Sequence, residues 1–146
     1  MSSKVISNHI GDIIEQVIEY RDQGHWLKLE EYFTDKPFID DEFLTTEKPG
    51  LRPVAKLMYT WRRITRELYY GAKHKIGAIS VQRVNKKEVA AESEIEARFY
   101  TTKGSKRYVL KLAGVYHYTF RKVAGKWKIS DMRLDVTNQS LEPLGL

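Results

Sequence analysis

The sequence predicts an α+β fold, with helices first and a long-stranded antiparallel sheet after. Three observations carry this. Up to Gly71, apolar residues recur mostly at helical spacing. Beyond it they alternate residue by residue, as strands require. Three turn-forming clusters, Asn85-Lys86-Lys87, Lys103-Gly104-Ser105 and Ala124-Gly125, divide that second part into four long segments.

Ile6, Ile10, Ile13, Ile14, Val17 and Ile18 make the stripe of a first helix over about 8–22, with Ser7 or Asn8 as cap and Gly24 just past its end. A short second helix carries Trp26, Leu29 and Phe33 on one stripe and stops at Thr34-Asp35-Lys36-Pro37. Phe38 to Leu44 reads as a strand whose alternation puts Ile39, Asp41 and Phe43 on one face. Pro53 opens a third helix, whose stripe is Val54, Leu57, Met58, Trp61, Ile64, Thr65 and Leu68.

The sheet segments are 73–84, 88–102, 106–123 and 126–137. Val89, Ala91, Ser93, Ile95, Ala97 and Phe99 share one face of their strand, and Tyr108, Leu110, Leu112, Gly114, Tyr116, Tyr118 and Phe120 share one face of the next. In the last segment Trp127 and Ile129 fall out of phase with Met132, Leu134 and Val136, which predicts a bulge near Ser130-Asp131. Strands this long, beside only three helices, must curl to bury their apolar face, and Gly77 and Gly114 are places to bend. The expected shape is a cone-shaped α+β barrel, three N-terminal helices packed on a strongly bent antiparallel sheet, with a hollow inside. A single domain covers residues 1–146, with 138–146 a loosely held tail.

The chain has no cysteine, which excludes disulfides, thiolate metal sites and cysteine nucleophiles. Its four histidines, His9, His25, His74 and His117, are dispersed and show no metal-ligand spacing, so neither metal nor cofactor is expected. Neither a phosphate-cradling glycine loop nor a Gly-x-Ser-x-Gly elbow is present. No apolar run reaches membrane-spanning length, and Met1-Ser2-Ser3-Lys4-Val5-Ile6 lacks the core of a signal peptide, so a cytoplasmic location is expected. The net charge of +6 divides unevenly, −6 over residues 1–50 and +12 over 51–146. Alternation turns the basic and aromatic residues of 106–128 to opposite faces, which argues against a nucleic-acid platform.

Several motifs, in order, resemble the nuclear transport factor 2-like superfamily and its SnoaL-like and scytalone dehydratase-like group: Tyr20-Arg21-Asp22-Gln23-Gly24-His25-Trp26, Phe33-Thr34-Asp35, Lys73-His74-Lys75-Ile76-Gly77, Tyr116 to Phe120, and Gly125-Lys126-Trp127-Lys128-Ile129 with Met132-Arg133. The likeness covers about residues 8–137. It implies the cone fold, in a superfamily that includes dehydratases, isomerases, hydrolases, dioxygenase small subunits and non-catalytic binders. In the dehydratase pattern Asp22 matches the aspartate ending the first helix and His74 the first catalytic histidine. The second catalytic histidine falls on Phe99, the pocket asparagine on Tyr116, and two tyrosines on Arg21 and Asp41. In the isomerase pattern Asp41 falls on the catalytic base, while Val17 and, roughly, Tyr118 replace two other site residues.

The candidate catalytic residues are therefore Asp41, His74 and Asp22. A carboxylate on an apolar face is a candidate proton carrier, although Asp41 is also readable as a surface acid of the run Asp40-Asp41-Glu42. A histidine oriented by Asp22 suits the same work, and a satisfied histidine at a strand start is the plainer alternative. Tyr116, Tyr118, Phe99, Tyr59 and Trp61 are the candidate substrate-binding residues, and His117 is expected outside the cone. The expected function is cofactor-free acid–base chemistry, dehydration, isomerisation or hydrolysis, on a small apolar or oxygenated ring compound. The alternatives are a binding or dimerisation module of the same fold and, more distantly, a small subunit of a ring-hydroxylating oxygenase. The expected partners are a small-molecule ligand and a second copy docked on the exposed sheet face. An open cavity holding both Asp41 and His74 favours the enzyme; a cone packed shut favours the module. Asp41→Asn and His74→Ala are each expected to abolish activity with little loss of stability.

Overall fold

The computed structural model describes residues 3–145. Helix α1 (Ser3–Gln23) and the short α2 (Trp26–Glu30) precede strand β1 (Phe33–Asp40). A one-turn helix α3 (Glu42–Thr45) and a two-residue strand β2 (Gly50–Leu51) lead to α4 (Val54–Glu67). Four long strands follow: β3 (Gly71–Asn85), β4 (Glu88–Lys103), β5 (Lys106–Val123) and β6 (Lys126–Pro143). The α+β assignment holds, and one six-stranded sheet runs in the order β2-β1-β6-β5-β4-β3.

Four features differ from the sequence expectation. The sheet is mixed, because β1 runs parallel to β6 while every other pairing is antiparallel. Phe33 belongs to β1 rather than α2, and its ring meets Trp61 edge to face at 5.8 Å. Either element would bury it, which is why the stripe misassigned it. A fourth helix, α3, begins where the first strand was expected to continue. Residues 138–143 are not a loose tail but the end of β6, with Asn138, Gln139, Ser140, Leu141, Glu142 and Pro143 each opposite a β5 residue.

The bend comes from irregular registers. In β6, Thr119 faces Asp131 and Phe120 faces Ile129, leaving Ser130 as the extra residue of the expected bulge. A second irregularity skips Thr137 between Ala113 and Gly114, and a third in β3 spans Gly77. Gly114 is required there, since a Cβ would collide with the Asp135 carbonyl. The inner face, with Val89, Ile95, Phe99, Leu112, Tyr116, Tyr118, Phe120 and Ile129 buried, wraps around the apolar stripe of α1 and the Leu57–Trp61 side of α4. The outer face is polar. His117 points out on it as expected, 3.2 Å from Glu92 and 2.8 Å from Asp135.

Candidate active site

Helix α1 ends in a paired backbone closure: Gly24 N–H donates to the Arg21 carbonyl and His25 N–H to the Tyr20 carbonyl, with Gly24 at φ +73°. That closure fixes Arg21 and Asp22 on the last turn, over the mouth of the curled sheet. An acid at a helix C-terminus meets an unfavourable dipole, so its placement needs another partner. Asp22 finds it on β3. One carboxylate oxygen lies 2.5 Å from His74 Nδ1, and the other accepts the His74 backbone N–H at 2.9 Å.

His74 stands opposite Ala97, whose small side chain leaves room, and its ring sits edge-on to Phe99 at 5.4 Å. The imidazole is 2% exposed. Among the described residues Nε2 is buried with no hydrogen-bond partner; in the neutral ring whose Nδ1–H donates to Asp22, Nε2 carries the lone pair. A buried imidazole held in one tautomer, with an unsatisfied acceptor nitrogen, has the arrangement of a general base and its orienting carboxylate.

His74 lines a cavity of about 30 Å³ with Arg21, Asp22, Trp61, Tyr69 and Phe99, walled further by Leu44, Ile64 and Ala72. Of the candidate residues, the fold therefore brings Asp22, His74, Phe99 and Trp61 to one place. Burial raises the Tyr69 phenol above its usual range.

Asp41 is buried at 3% but does not line this cavity. The strand ends at Asp40, so Asp41 stands before α3 instead of alternating with Ile39 and Phe43, and Phe43 is 41% exposed. Its carboxylate accepts Trp61 Nε1–H at 2.7 Å and the Thr45 hydroxyl at 3.0 Å, with Arg52 at 4.0 Å. Arg52, itself buried, pairs with Glu47 at 2.8 Å and donates to the Lys48 carbonyl. Asp41 thus anchors the 41–52 connection to α4. The alternation rule failed because a buried polar network, assembled from residues up to 20 positions apart, ends the strand early.

Tyr116 is buried deeper in the cone, and its hydroxyl accepts an N–H of Arg21 at 3.1 Å. Burial raises its phenol above the usual range. Arg21 offsets this, and the charges of Asp41 and Asp22 add to it. Tyr118 and Phe120 continue the column at ring spacings of 5.9 and 5.8 Å. The Tyr118 hydroxyl is also held far above its ordinary range, by burial and the neighbouring Tyr116, with Ser93 beside it working the other way; among the described residues it is buried without a hydrogen bond of normal geometry. Tyr59 lies elsewhere: it is 65% exposed on a surface cleft between α2 and α4, because it falls on the outer side of the α4 stripe.

Arg21 is the site residue that sequence reasoning did not single out. Its guanidinium lies 4.0 Å from the Trp61 ring centre. Its sequence signal is its place beside Asp22, at a position where the dehydratase pattern has a tyrosine. Among the described residues, no group of three or more His, Cys, Asp or Glu side chains is placed to hold a metal ion, and no helix is long and apolar enough to cross a membrane.

This combination, a curled sheet closed by helices over a histidine–aspartate pair, is the fold of the nuclear transport factor 2-like class. Residues 7–133 match the SnoaL-like domain, and the chain belongs to that family. A search of curated protein sequences returns no match. Among solved structures it is similar to a scytalone dehydratase-like protein from Novosphingobium aromaticivorans, at 20% identity and TM-score 0.76 over 93% of this chain and 87% of that one. It is also similar to a hexachlorocyclohexane dehydrochlorinase, at 15% identity and TM-score 0.79 over 97% and 91%. A third is a protein assigned as the beta subunit of an aromatic-ring-hydroxylating dioxygenase from Novosphingobium aromaticivorans, at 15% identity and TM-score 0.69 over 93% and 92%. At these identities the likeness establishes the fold.

Proposed function

We propose that this protein is an acid–base enzyme acting on a small, largely apolar carbonyl compound, with His74 as general base and Asp22 as its orienting residue. The observation that carries the reading is the buried, unpartnered Nε2 of His74 beside a carboxylate that takes up Nδ1. Nε2 would remove a proton from the carbon next to a carbonyl. The bonding pair would move to the carbonyl oxygen as an enolate, stabilised by the Arg21 guanidinium on the cavity wall. The enolate would then collapse, either by taking the proton back at another carbon or by expelling a leaving group that takes it. Trp61, Phe99 and Tyr69 would hold the apolar part. Asp41 serves this site indirectly, by fixing Trp61.

The test is deuterium exchange into a panel of small aryl ketones and keto acids, followed by NMR in D2O. The wild-type protein should label at least one member. His74→Ala should abolish the labelling and Asp22→Asn should slow it by about 10²-fold or more. Labelling that is unchanged in His74→Ala removes His74 from this role.

A second reading draws on the size of the cavity. About 30 Å³ is close to the space of one liquid water, which favours a binding or assembly module whose cone is filled by its own side chains. A panel in which nothing exchanges above background supports this module. In either reading, the outer sheet face around His117, Glu92 and Asp135 is the proposed surface for a second copy. Sedimentation of wild-type protein against Glu92→Lys checks it, the variant being expected to dissociate.

A further inference from the structure

We infer that Arg21 makes this pocket selective for a ligand bearing a carboxylate, with the Arg21 guanidinium receiving the anion. The inference rests on the reading of the His74 cavity as the ligand site. The guanidinium is half-buried at the end of α1, among Trp61 and the other apolar walls of that cavity. Among the described residues it makes one hydrogen bond, to the neutral Tyr116 hydroxyl, and no carboxylate lies within ion-pairing distance. The two nearby carboxylates are engaged elsewhere, Asp22 with His74 and Asp41 with Trp61 and Thr45.

A cation drawn out of water into an apolar site is costly unless it is paired. Stacking on Trp61 at 4.0 Å offsets only part of that cost. The planar fork of arginine presents N–H donors in the spacing a carboxylate accepts two at a time. The long Arg21 side chain is also one wall of that cavity. Its movement onto an incoming carboxylate enlarges the space that is now about 30 Å³. The matching ligand is a small aryl or alkyl acid, its apolar body against Trp61 and Phe99 and its acidic C–H toward His74 Nε2.

The experiment compares benzoate with its neutral counterpart benzamide, by calorimetry and by the His74 ring resonances in NMR, on folded wild-type, Arg21→Lys, Arg21→Gln and Arg21→Met proteins. Wild type should bind benzoate at least about tenfold more tightly than benzamide, the worth of one charge-assisted hydrogen bond. Arg21→Met and Arg21→Gln should lose that preference, and Arg21→Lys should keep part of it. Equal affinity for the two probes, benzoate affinity unchanged in Arg21→Met, or no benzoate binding to wild type overturns the role of Arg21. The cavity reading survives those outcomes if benzamide still shifts the His74 resonances. Probe binding that leaves His74 unperturbed removes the cavity reading as well.

Discussion

Asp41→Ala tests whether the carboxylate is a structural anchor. The substitution deprives Trp61 Nε1–H of an acceptor 2.7 Å away and the Thr45 hydroxyl of one at 3.0 Å. Both donors are in buried side chains, and each buried donor left unsatisfied costs about 1–3 kcal/mol. Thr45 softens its share, since its hydroxyl also reaches the Asp41 main-chain carbonyl at 3.2 Å, and Arg52 keeps Glu47. The loss comes to about 2–5 kcal/mol. For a chain of this size it lowers the melting temperature by about 5–15 °C. Asp41→Asn, which keeps one acceptor oxygen, is the milder substitution and should lose less. Thermal unfolding by circular dichroism measures the drop. A double-mutant cycle with Trp61→Phe should show coupling of about 1 kcal/mol or more. A melting point within about 2 °C of wild type, or additive single substitutions, would refute the anchoring role.

Tyr118→Phe removes a buried hydroxyl without a hydrogen bond and should be neutral or stabilising by up to about 1 kcal/mol at neutral pH; a clear loss would mean that the hydroxyl has a partner. The same substitution should alter alkaline unfolding. The folded phenol is held above its ordinary 10.0, so below pH 10.0 both states are protonated and nothing changes. Above it the unfolded chain loses its proton first and wild-type stability falls with rising pH; in urea titrations the variant should show a shallower slope, with Tyr116 and Tyr69 supplying what remains. Gly114→Ala forces β5 away from the Asp135 carbonyl and should cost about 1–3 kcal/mol, whereas the same change at Gly50 of β2, where a Cβ meets nothing within 4 Å, should cost far less. Similar melting temperatures for these two variants would count against the tight crossing.

The legible part of this protein was periodic. Six isoleucine and valine positions of α1, the Leu57–Trp61 stripe of α4, and the alternation of β4 and of β5 from Leu112 to Phe120 lie buried where their spacing put them, because helix and strand geometry fix which side chains share a face; at the start of β5 it is Val109, not Tyr108 or Leu110, that is buried. The phase slip after Ile129 gave the Ser130 bulge for the same reason. Resemblance in motif order pointed to Asp22 and His74, and the fold brings them within 2.5 Å.

What periodicity could not reach was set by contacts between distant residues. β1 lies parallel to β6, a pairing across almost the whole chain that no local pattern encodes. Asp41 leaves the strand because Trp61, Thr45 and Arg52 converge on it. Arg21 reads as one more charge on a helix end until folding lays it over Trp61 and against Tyr116, 95 residues away. Local spacing is a property of the backbone and can be read from order alone. The environment of a buried charge is the sum of whatever the folded chain places around it, so only the tertiary structure decides what Asp41, His74 and Arg21 are in a position to do.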